Sequence, residues 1–471
     1  MRIAFIEPRN DRLNVFSRYN LPRLGSVLLA TILKEKGYDC RVYFVSEKEI
    51  PKLRISCDLV AISTITSTAP QAYRIADYFH RQNLKVIMGG PHVTFLPEEA
   101  LAHADYCVLG EGEETLPELV AALNLKGPVA QIPNLAYWEN GKPIYTARKP
   151  FLAPLDSLPF PDFSLLNYGR GGVRHSLIFK KIIPIQTSRG CPYDCTFCSV
   201  TGMFGKHYRF RSKESILAEL ARYNHREHKI FFYDDNFAAN RRRTKELLEA
   251  MLARGLQFTW STQVRAEIAK DPELLKLMYQ AGCRVVFIGF ESINPDTLKE
   301  MKKSQTAEDI RYAVRTIQQA GIHVHGMFVF GFDTDTPTSI RETVRFAIKE
   351  RIDTAQFMIL TPLPGSEFFK QMRNEGRIIS SDWSRFDAQH VTFKPKRLSV
   401  LQLQLLQIEA HTRFYTPFNI LRKLFRNRWV AFFVGLYAHK LNVKWKKMAR
   451  KYLALLKRLS QQFSLTAVRD V

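Results

Sequence analysis

An α/β protein is predicted, with a doubly wound parallel sheet first, a partial barrel of six βα units second and a basic, mostly helical region last. Three observations carry that reading. Short apolar runs alternate with stretches of helical period up to Leu123, the alternation resumes from Lys181 to Arg373, and acidic residues vanish between Glu409 and Asp470. At 471 residues the chain is too long for one ordinary core, so two or three domains are expected. Hydrophobic residues at 46% and aromatics at 12% are those of a globular chain and exclude a disordered one. The 69 Lys and Arg against 45 Asp and Glu leave a charge of +24, which implies an anionic partner, either a membrane surface or nucleic acid. Seven cysteines and no signal peptide after Met1 point to a reducing cytoplasm. Cys40, Cys57, Cys107 and Cys283 read as buried thiols.

Residues 2–6 read as a buried strand, 24–36 as a helix closed by Gly37, and 38–45 as a second strand. Strands at 59–63, 85–88 and 106–109, with helices at 70–82 and 115–123, continue a doubly wound sheet. Ligands of such a sheet sit beyond the carboxyl ends of its strands. Those ends carry Ser63, Thr64, Thr66 and Ser67, then Gly89 and Gly90, then Gly110 and Gly112. Small hydroxyl and glycine residues let a large planar or phosphate-bearing group approach the backbone, although tight strand-to-helix turns need glycine too. His92, after Gly-Gly-Pro, reads as a loop residue facing ligand or solvent. From 125 to 180 Pro and Gly accumulate, which reads as a strand pair near 134–145 and then an inter-domain linker.

Helices at 213–225, 241–254, 272–280, 307–319, 337–350 and 367–373 alternate with strands at 229–233, 257–263, 284–290, 323–330 and 354–360. With the apolar run before Cys191 this makes six βα units, whose chemistry belongs on the carboxyl-end loops. Pro184 in the first strand argues for an edge, as an open part-barrel has.

Cys191, Cys195 and Cys198 stand at C-x3-C-x2-C spacing. Three thiolates suffice for three irons of a 4Fe–4S cluster, leaving the fourth open to an exogenous ligand. A structural zinc site takes four ligands in paired short spacings, and no second Cys or His pair stands nearby. A redox dithiol would leave Cys191 unexplained. The next strand end offers the run Asp234, Asp235, Asn236 and Phe237, whose clustered polar groups are able to hold an ammonium and a carboxylate, or to cap the following helix. The later ends carry Gln263 and Arg265, then Glu291 and Ser292, then the run from Gly326 to Gly331, and last the tight loop 361–365. The body of the 326–331 run has an equally good core explanation.

The pattern C-x3-C-x-aromatic-C, with Phe197, resembles the signature of the radical S-adenosylmethionine (SAM) enzymes. The resemblance implies that SAM chelates the unique iron and that its reductive cleavage yields methionine and a 5′-deoxyadenosyl radical. It assigns Asp234 and Asp235 to the SAM amino group, and Gln263, Arg265, Glu291 and Ser292 to the ribose and methionyl group. Gly326 and Gly331 fall to adenine. Pro22 to Gly25, the Ser/Thr run, Gly-Gly-Pro-His and Gly-Glu-Gly-Glu together resemble the cobalamin-binding domain fused to many radical SAM enzymes. Cobalamin is thus an implied second cofactor. Residues 7–15 lack the D-x-H-x-x-G that supplies a cobalt ligand in many cobalamin domains, so cobalamin would be held without a protein imidazole. The expected division is a Rossmann-like cobalamin domain at 1–130, a linker at 131–180, a radical SAM partial barrel at 181–376 and a basic region at 377–471.

The implied activity is C-methylation of a lipid-like or secondary-metabolite substrate, with flavodoxin or ferredoxin as electron donor. Two alternatives stand beside it: a cyclase of tetrapyrrole type without net methyl transfer, and an RNA-modifying or RNA-binding protein using the basic tail. In that tail Arg422, Lys423, Arg426 and Arg428 precede the apolar run 429–437, and eight further bases follow it up to Arg458. The run is too short to span a bilayer. Aromatics beside clustered bases fit a helix pair lying on an anionic membrane, with contact through 413–458. Nucleic acid and a plain solvated face are the competing readings of that surface.

Overall fold

The computed structural model describes residues 1–9, 21, 23–168 and 181–467, with side chains described to 461. Pro22, residues 10–15 of the 7–15 stretch and the Gly169–Gly172 part of the expected linker lie outside the described residues.

The amino-terminal sheet has eight strands in the order Lys142–Tyr145, Leu135–Glu139, Tyr106–Val108, Lys85–Gly89, Leu59–Ser63, Arg2–Pro8, Asp39–Val45 and Leu166–Asn167. The six strands from Tyr106–Val108 to Leu166–Asn167 run parallel, and the other two add an antiparallel meander at one edge. Successive residues of one strand feed two cores. Ala4, Ile6, Val60, Ile62, Val86 and Met88 face one set of helices, while Ile3, Phe5, Leu59, Ala61 and Ile87 face the other. A sheet covered on both faces needs unbroken apolar runs, which is why these strands show no polar alternation. The segment expected as a linker therefore contributes three strands to this sheet, one at each edge and one just inside.

The second sheet runs Lys181–Ile185, His228–Phe232, Trp260–Val264, Cys283–Glu291, His323–Phe330, Thr354–Ile359, all parallel and in chain order. On Cys283–Glu291 the residues Val286, Ile288 and Phe290 are buried against the helices, whereas Val285, Phe287 and Gly289 on the other face are half-open. That half-open face is the barrel interior. Pro184 sits opposite Phe231 in the first strand, which pairs on one side alone, as an edge proline requires.

The last strand, Thr354–Ile359, is the opposite edge, and side chains of the later helix Val400–Phe414 and of Tyr415 at its end complete it. The Tyr415 hydroxyl accepts from Ala355 N at 3.0 Å and donates to Ala355 O at 2.7 Å. His411 Nε2 accepts from Phe357 N at 3.3 Å, and Gln407 Nε2 donates to Phe357 O at 3.1 Å. An exposed row of amides would invite another strand; Val400–Phe414 denies it one. Pro417–Leu424, Trp429–Met448 and Arg450–Ala467 complete the helical tail. No helix among the described residues is long and apolar enough to cross a membrane.

Candidate functional site

The cysteine loop starts from a short antiparallel pair, Ser188–Arg189 with Arg209–Phe210. Gly190 follows at φ +86°, where a Cβ would stand 2.2 Å from His207 O, so no other residue fits. Cys191 N donates to Gly205 O and Cys198 N to Cys195 O. Thr196 O accepts from Phe368 N at 2.8 Å, which ties the loop to the helix Glu367–Asn374. The loop is thereby held at both ends of the barrel sequence.

The three thiols are partly accessible and unbridged. Burial pushes all three up in pKa, Cys198 to about 12, so as free thiols they are protonated at neutral pH. A bound metal removes such protons outright. Among the described residues no three His, Cys, Asp or Glu side chains converge on a single ion. A cluster does not ask for that convergence, because each of its thiolates holds a different iron.

Around the thiols the expected residues divide. Asp234 is buried and accepts from Thr187 N at 2.9 Å, Ser188 N at 2.5 Å and Ser188 Oγ at 2.9 Å, which fixes the entry to the cysteine loop. Burial nevertheless pushes its pKa up, and its Oδ2 has no hydrogen-bond partner. Asp235 beside it is exposed to solvent; its surroundings and the Asp234 charge raise its pKa to about 6. Gln263 is half-buried at the end of Trp260–Val264, and its carbonyl accepts from Phe237 N. Arg265 pairs with Glu267 at 3.0 Å and lies 3.7 Å from the centre of the Tyr193 ring in the cysteine loop. Glu291 adopts φ +61° after a bulge and pairs with Lys303 at 3.1 Å, both nearly buried. The Lys303 ammonium also donates to Gly289 O and acts electrostatically on Cys195. The Ser292 hydroxyl accepts from Asn294 N and shapes the turn into the helix Pro295–Glu300.

Two expectations change. Gly326 lies in the middle of His323–Phe330, where a Cβ would meet the Phe290 ring and Ile352; it is a packing glycine, away from the strand end. Gly331 is at that end, with φ +119° and its N–H given to Asp335 at 2.8 Å. Phe197 packs edge-on against the neighbouring Phe332 at 6.1 Å. His92 is not a loop residue facing ligand or solvent. It is buried in the short helix Pro91–Phe95, 3.0 Å from the Tyr73 hydroxyl and edge-on to Trp383.

The amino-terminal strand ends form a glycine and hydroxyl surface. Gly90 has φ +98°, and a Cβ would fall 2.6 Å from Thr64 O. Thr64 N donates to Gly89 O, and the Thr64 and Thr68 hydroxyls meet at 2.9 Å. Thr66 and Ser67 are buried, while Ser63 is half-buried. Gly110, held through its N–H by Thr94, has no atom near the place a Cβ would take. Gly112 instead packs against Val108 and Leu29. Of these glycines Gly110 leaves open space beside the backbone, where a bulky group has room to approach, while Gly90 and Gly112 serve close packing.

Sequence reasoning passed over the residues that join the two surfaces. Arg189 is 6% exposed and pairs with Glu111 at 2.9 Å and Glu113 at 2.7 Å; Arg209 gives Glu111 two more bonds at 2.8 Å. Burial alone would raise the Glu111 pKa, but the two guanidiniums outweigh it and hold the carboxyl below its ordinary range. The Phe95 ring fills the space beside Gly202 and Gly365, again across the two sheets. At the mouth Arg23 and Glu7, themselves paired at 2.6 Å, act on Tyr233 together with Asp235. Tyr208 bonds Cys191 and receives Asn236 Nδ2 at 3.4 Å, and the buried Asn236 Oδ1 has no partner. The carboxyl ends of both sheets thus face each other across the cysteines. The repeated carboxylates of Gly-Glu-Gly-Glu were the signal for this junction, hidden behind their glycines.

Comparison with known proteins agrees with this two-part arrangement. Residues 185–347 match the radical SAM superfamily and residues 14–120 the B12 binding domain. The chain is 32% identical over 410 residues to the bacteriochlorophyllide d C-12(1)-methyltransferase of Chlorobaculum tepidum, covering 85% of this chain and 84% of the relative. An uncharacterized methyltransferase of Pyrococcus horikoshii is 32% identical over 418 residues, covering 85% of this chain and 89% of its own. The anaerobic magnesium-protoporphyrin IX monomethyl ester cyclase of Cereibacter sphaeroides is 30% identical, covering 88% and 70%. Among solved structures, the cobalamin-dependent SAM radical enzyme OxsB with aqua-cobalamin and SAM bound superposes with a TM-score of 0.68 at 16% identity, covering 100% of this chain and 80% of that one. The radical SAM methyltransferase TsrM of Kitasatospora setae gives 0.64 at 18%, covering 79% and 75%. At those identities the structural likeness is one of fold. The chain belongs to the radical SAM enzymes that carry an amino-terminal B12-binding domain, the family of the bacteriochlorophyllide methyltransferases and the anaerobic magnesium-protoporphyrin ester cyclases.

Proposed function

We propose that this enzyme is a cobalamin-dependent radical SAM C-methyltransferase acting on an unactivated carbon of a lipid-like or tetrapyrrole-like substrate. The observation that carries the reading is the facing of the two strand-end surfaces, locked by Arg189 between Glu111 and Glu113. Bound there, a 4Fe–4S cluster with SAM would supply hydrogen abstraction and cobalamin the methyl group. Cys191, Cys195 and Cys198 would hold the cluster, and the donor set fits: three reachable thiols with unpartnered Asp234 Oδ2 and Asn236 Oδ1 close behind them in the chain fold. Asp235, Gln263, Arg265 and Glu291 would orient SAM, with Lys303 paired to Glu291 and holding it in place. The Thr64 to Ser67 and Gly89–Gly90 turns and Gly110 would take the planar face of cobalamin, and His92, engaged elsewhere, gives it no imidazole. The Arg189 network fixes the distance between the two groups and keeps water from the gap between the sheets.

The reading includes a low-potential electron donor of flavodoxin or ferredoxin type, a cytoplasmic location and a peripheral contact with anionic membrane through residues 413–458. Cyclisation without methyl transfer is the second reading, favoured by the 30% identity to the ester cyclase. The test is anaerobic purification from cobalamin-fed cells, with iron and cobalt counted per chain and label followed from methyl-labelled SAM. About four irons with stoichiometric cobalt and labelled product support methyl transfer, and Cys195→Ala should lose the iron and all SAM cleavage. Iron with no cobalt, or product without label, sinks it.

A further inference from the structure

We propose that the helices Pro417–Leu424 and Trp429–Met448 dock this enzyme on an anionic bilayer, with a basic pocket at the foot of the barrel receiving a lipid headgroup. The proposal deepens the peripheral-contact part of the functional reading and rests on it only for the choice of a lipid surface.

The two helices cross closely at Gly435, where a Cβ would lie 3.1 Å from Ile420, so their outer faces form one surface. That surface is inverted relative to an ordinary amphipathic helix. Phe418, Leu421 and Phe425 recur at helical spacing on one side, and Trp429, Phe433 and Leu436 on the other, all exposed; Phe425 at the tip is 86% exposed. Exposed large apolar groups scattered singly need no explanation, but two rows of them at helical spacing on two packed helices do. Further along Trp429–Met448 the same face turns to Lys440, Lys444 and Lys447, all open to solvent.

Beside this apolar surface lies a cavity lined by Arg351, Asn419, Arg422, Lys423, Arg426 and Arg428. Its one carboxylate, Asp353, is fully engaged: by Arg428 and His323 at 3.3 Å each, and by Gln318 Nε2 and Val324 N at 2.9 Å each. Among the described residues no carboxylate pairs with Arg351, Arg422 or Arg426. With Arg428 committed to that acid, four cations remain, Lys423 donating to the Asp353 carbonyl at 2.6 Å; they repel each other, and an anion would relieve the crowding. Charge and apolar surface are adjacent on one side of the molecule, the pairing that anionic lipid satisfies.

Nucleic acid would also answer the charge, but it recognises stacking platforms of aromatic and guanidinium planes. Here Leu421, Val430, Leu436 and Val443 interleave with the aromatics. Aliphatic side chains of that kind suit acyl chains and offer bases nothing to stack on.

The test uses the full anaerobically purified chain, sedimented with vesicles of phosphatidylcholine alone and with about a third phosphatidylglycerol. The chain should partition strongly onto the anionic vesicles and weakly onto the neutral ones. Arg422→Gln with Arg426→Gln should lower the anionic partition by about 25-fold, roughly fivefold per charge. Phe425→Ser with Phe433→Ser should lower it by at least about tenfold. Iron content and SAM cleavage of the variants are read in solution, and both should match the parent. Loss of those would indict the barrel site, whereas failure of methyl transfer in the parent leaves the vesicle result untouched. Equal partition of the parent onto both vesicle types, or unchanged partition of either double variant, overturns the proposal. So does release from vesicles by single-stranded RNA in a form that depends on the arginines and not on the phenylalanines.

Discussion

At the carboxyl ends of the barrel strands the charged side chains are buried and mostly partnered, while at the amino ends they are crowded, basic and open. Glu111 and Glu113 meet Arg189 and Arg209, Glu291 meets Lys303, and Asp234 takes loop donors on one of its two oxygens. At the other end Arg351, Arg422 and Arg426 gather around an acid already taken. The difference separates two uses of charge. Paired, desolvated charge defines one geometry at a high cost for any missing partner. Unpaired, hydrated charge defines no geometry and serves attraction.

The comparison breaks most sharply at Arg189. Arg189→Met leaves Glu113 buried without its cation and Glu111 with one guanidinium, so a loss of about 3–5 kcal/mol is expected in denaturant unfolding. A loss below about 1 kcal/mol would mean that the junction is wet and loose.

A second, smaller effect is proton-linked and sits on the helix that seals the barrel's last strand. Burial holds the His411 pKa down at about 4, against the opposite pull of the Gln407 carbonyl on its Nδ1–H, and the neutral ring keeps Nε2 as an acceptor for Phe357 N. A depressed folded pKa gives stability that is present above the unfolded value and disappears as pH falls through the folded one. Stability should therefore decline from about pH 6.5 towards 4, with His325, also lowered to about 4, acting in the same sense. The His411 share is about 1 kcal/mol near pH 5.5. Denaturation midpoints of His411→Gln should show a shallower slope over that interval, and an unchanged slope would remove His411 from the account.

The smallest effect belongs to the basic end. The pKa of Arg426 is pulled down by burial and by the neighbouring Arg351 and Arg428. Arg426→Met should change the melting free energy by no more than about 0.5 kcal/mol, and towards stability if towards anything. A marked loss would show a hidden partner and bring the two ends closer in kind.

Much of this was legible in the chain. The strands 59–63 and 323–330 and the helices 272–280 and 307–319 stand where the periodicity put them, because local pattern and burial agree there. Cys191, Cys195 and Cys198 could be named from spacing alone, since a cluster's ligands lie within one loop. Asp234 was legible as a special residue, yet its contacts with Thr187 and Ser188 were not, because they join residues on different strands. Gly326 misled because a packing glycine and a strand-end glycine look alike in one dimension; only Phe290 and Ile352 tell them apart. His92 misled for the same reason, its partners Tyr73 and Trp383 lying far away in the chain.

By itself the sequence determined which segments alternate, where glycine must stand, and which three thiols act together, all of which depend on neighbours a few residues apart. The tertiary structure decided which charges are paired. Arg189 and Glu111 are 78 residues apart in the chain, and Trp383 reaches Glu99 across 284. Such pairings depend on how two sheets are set face to face, and that setting comes from the burial of whole apolar surfaces rather than from any local run of residues.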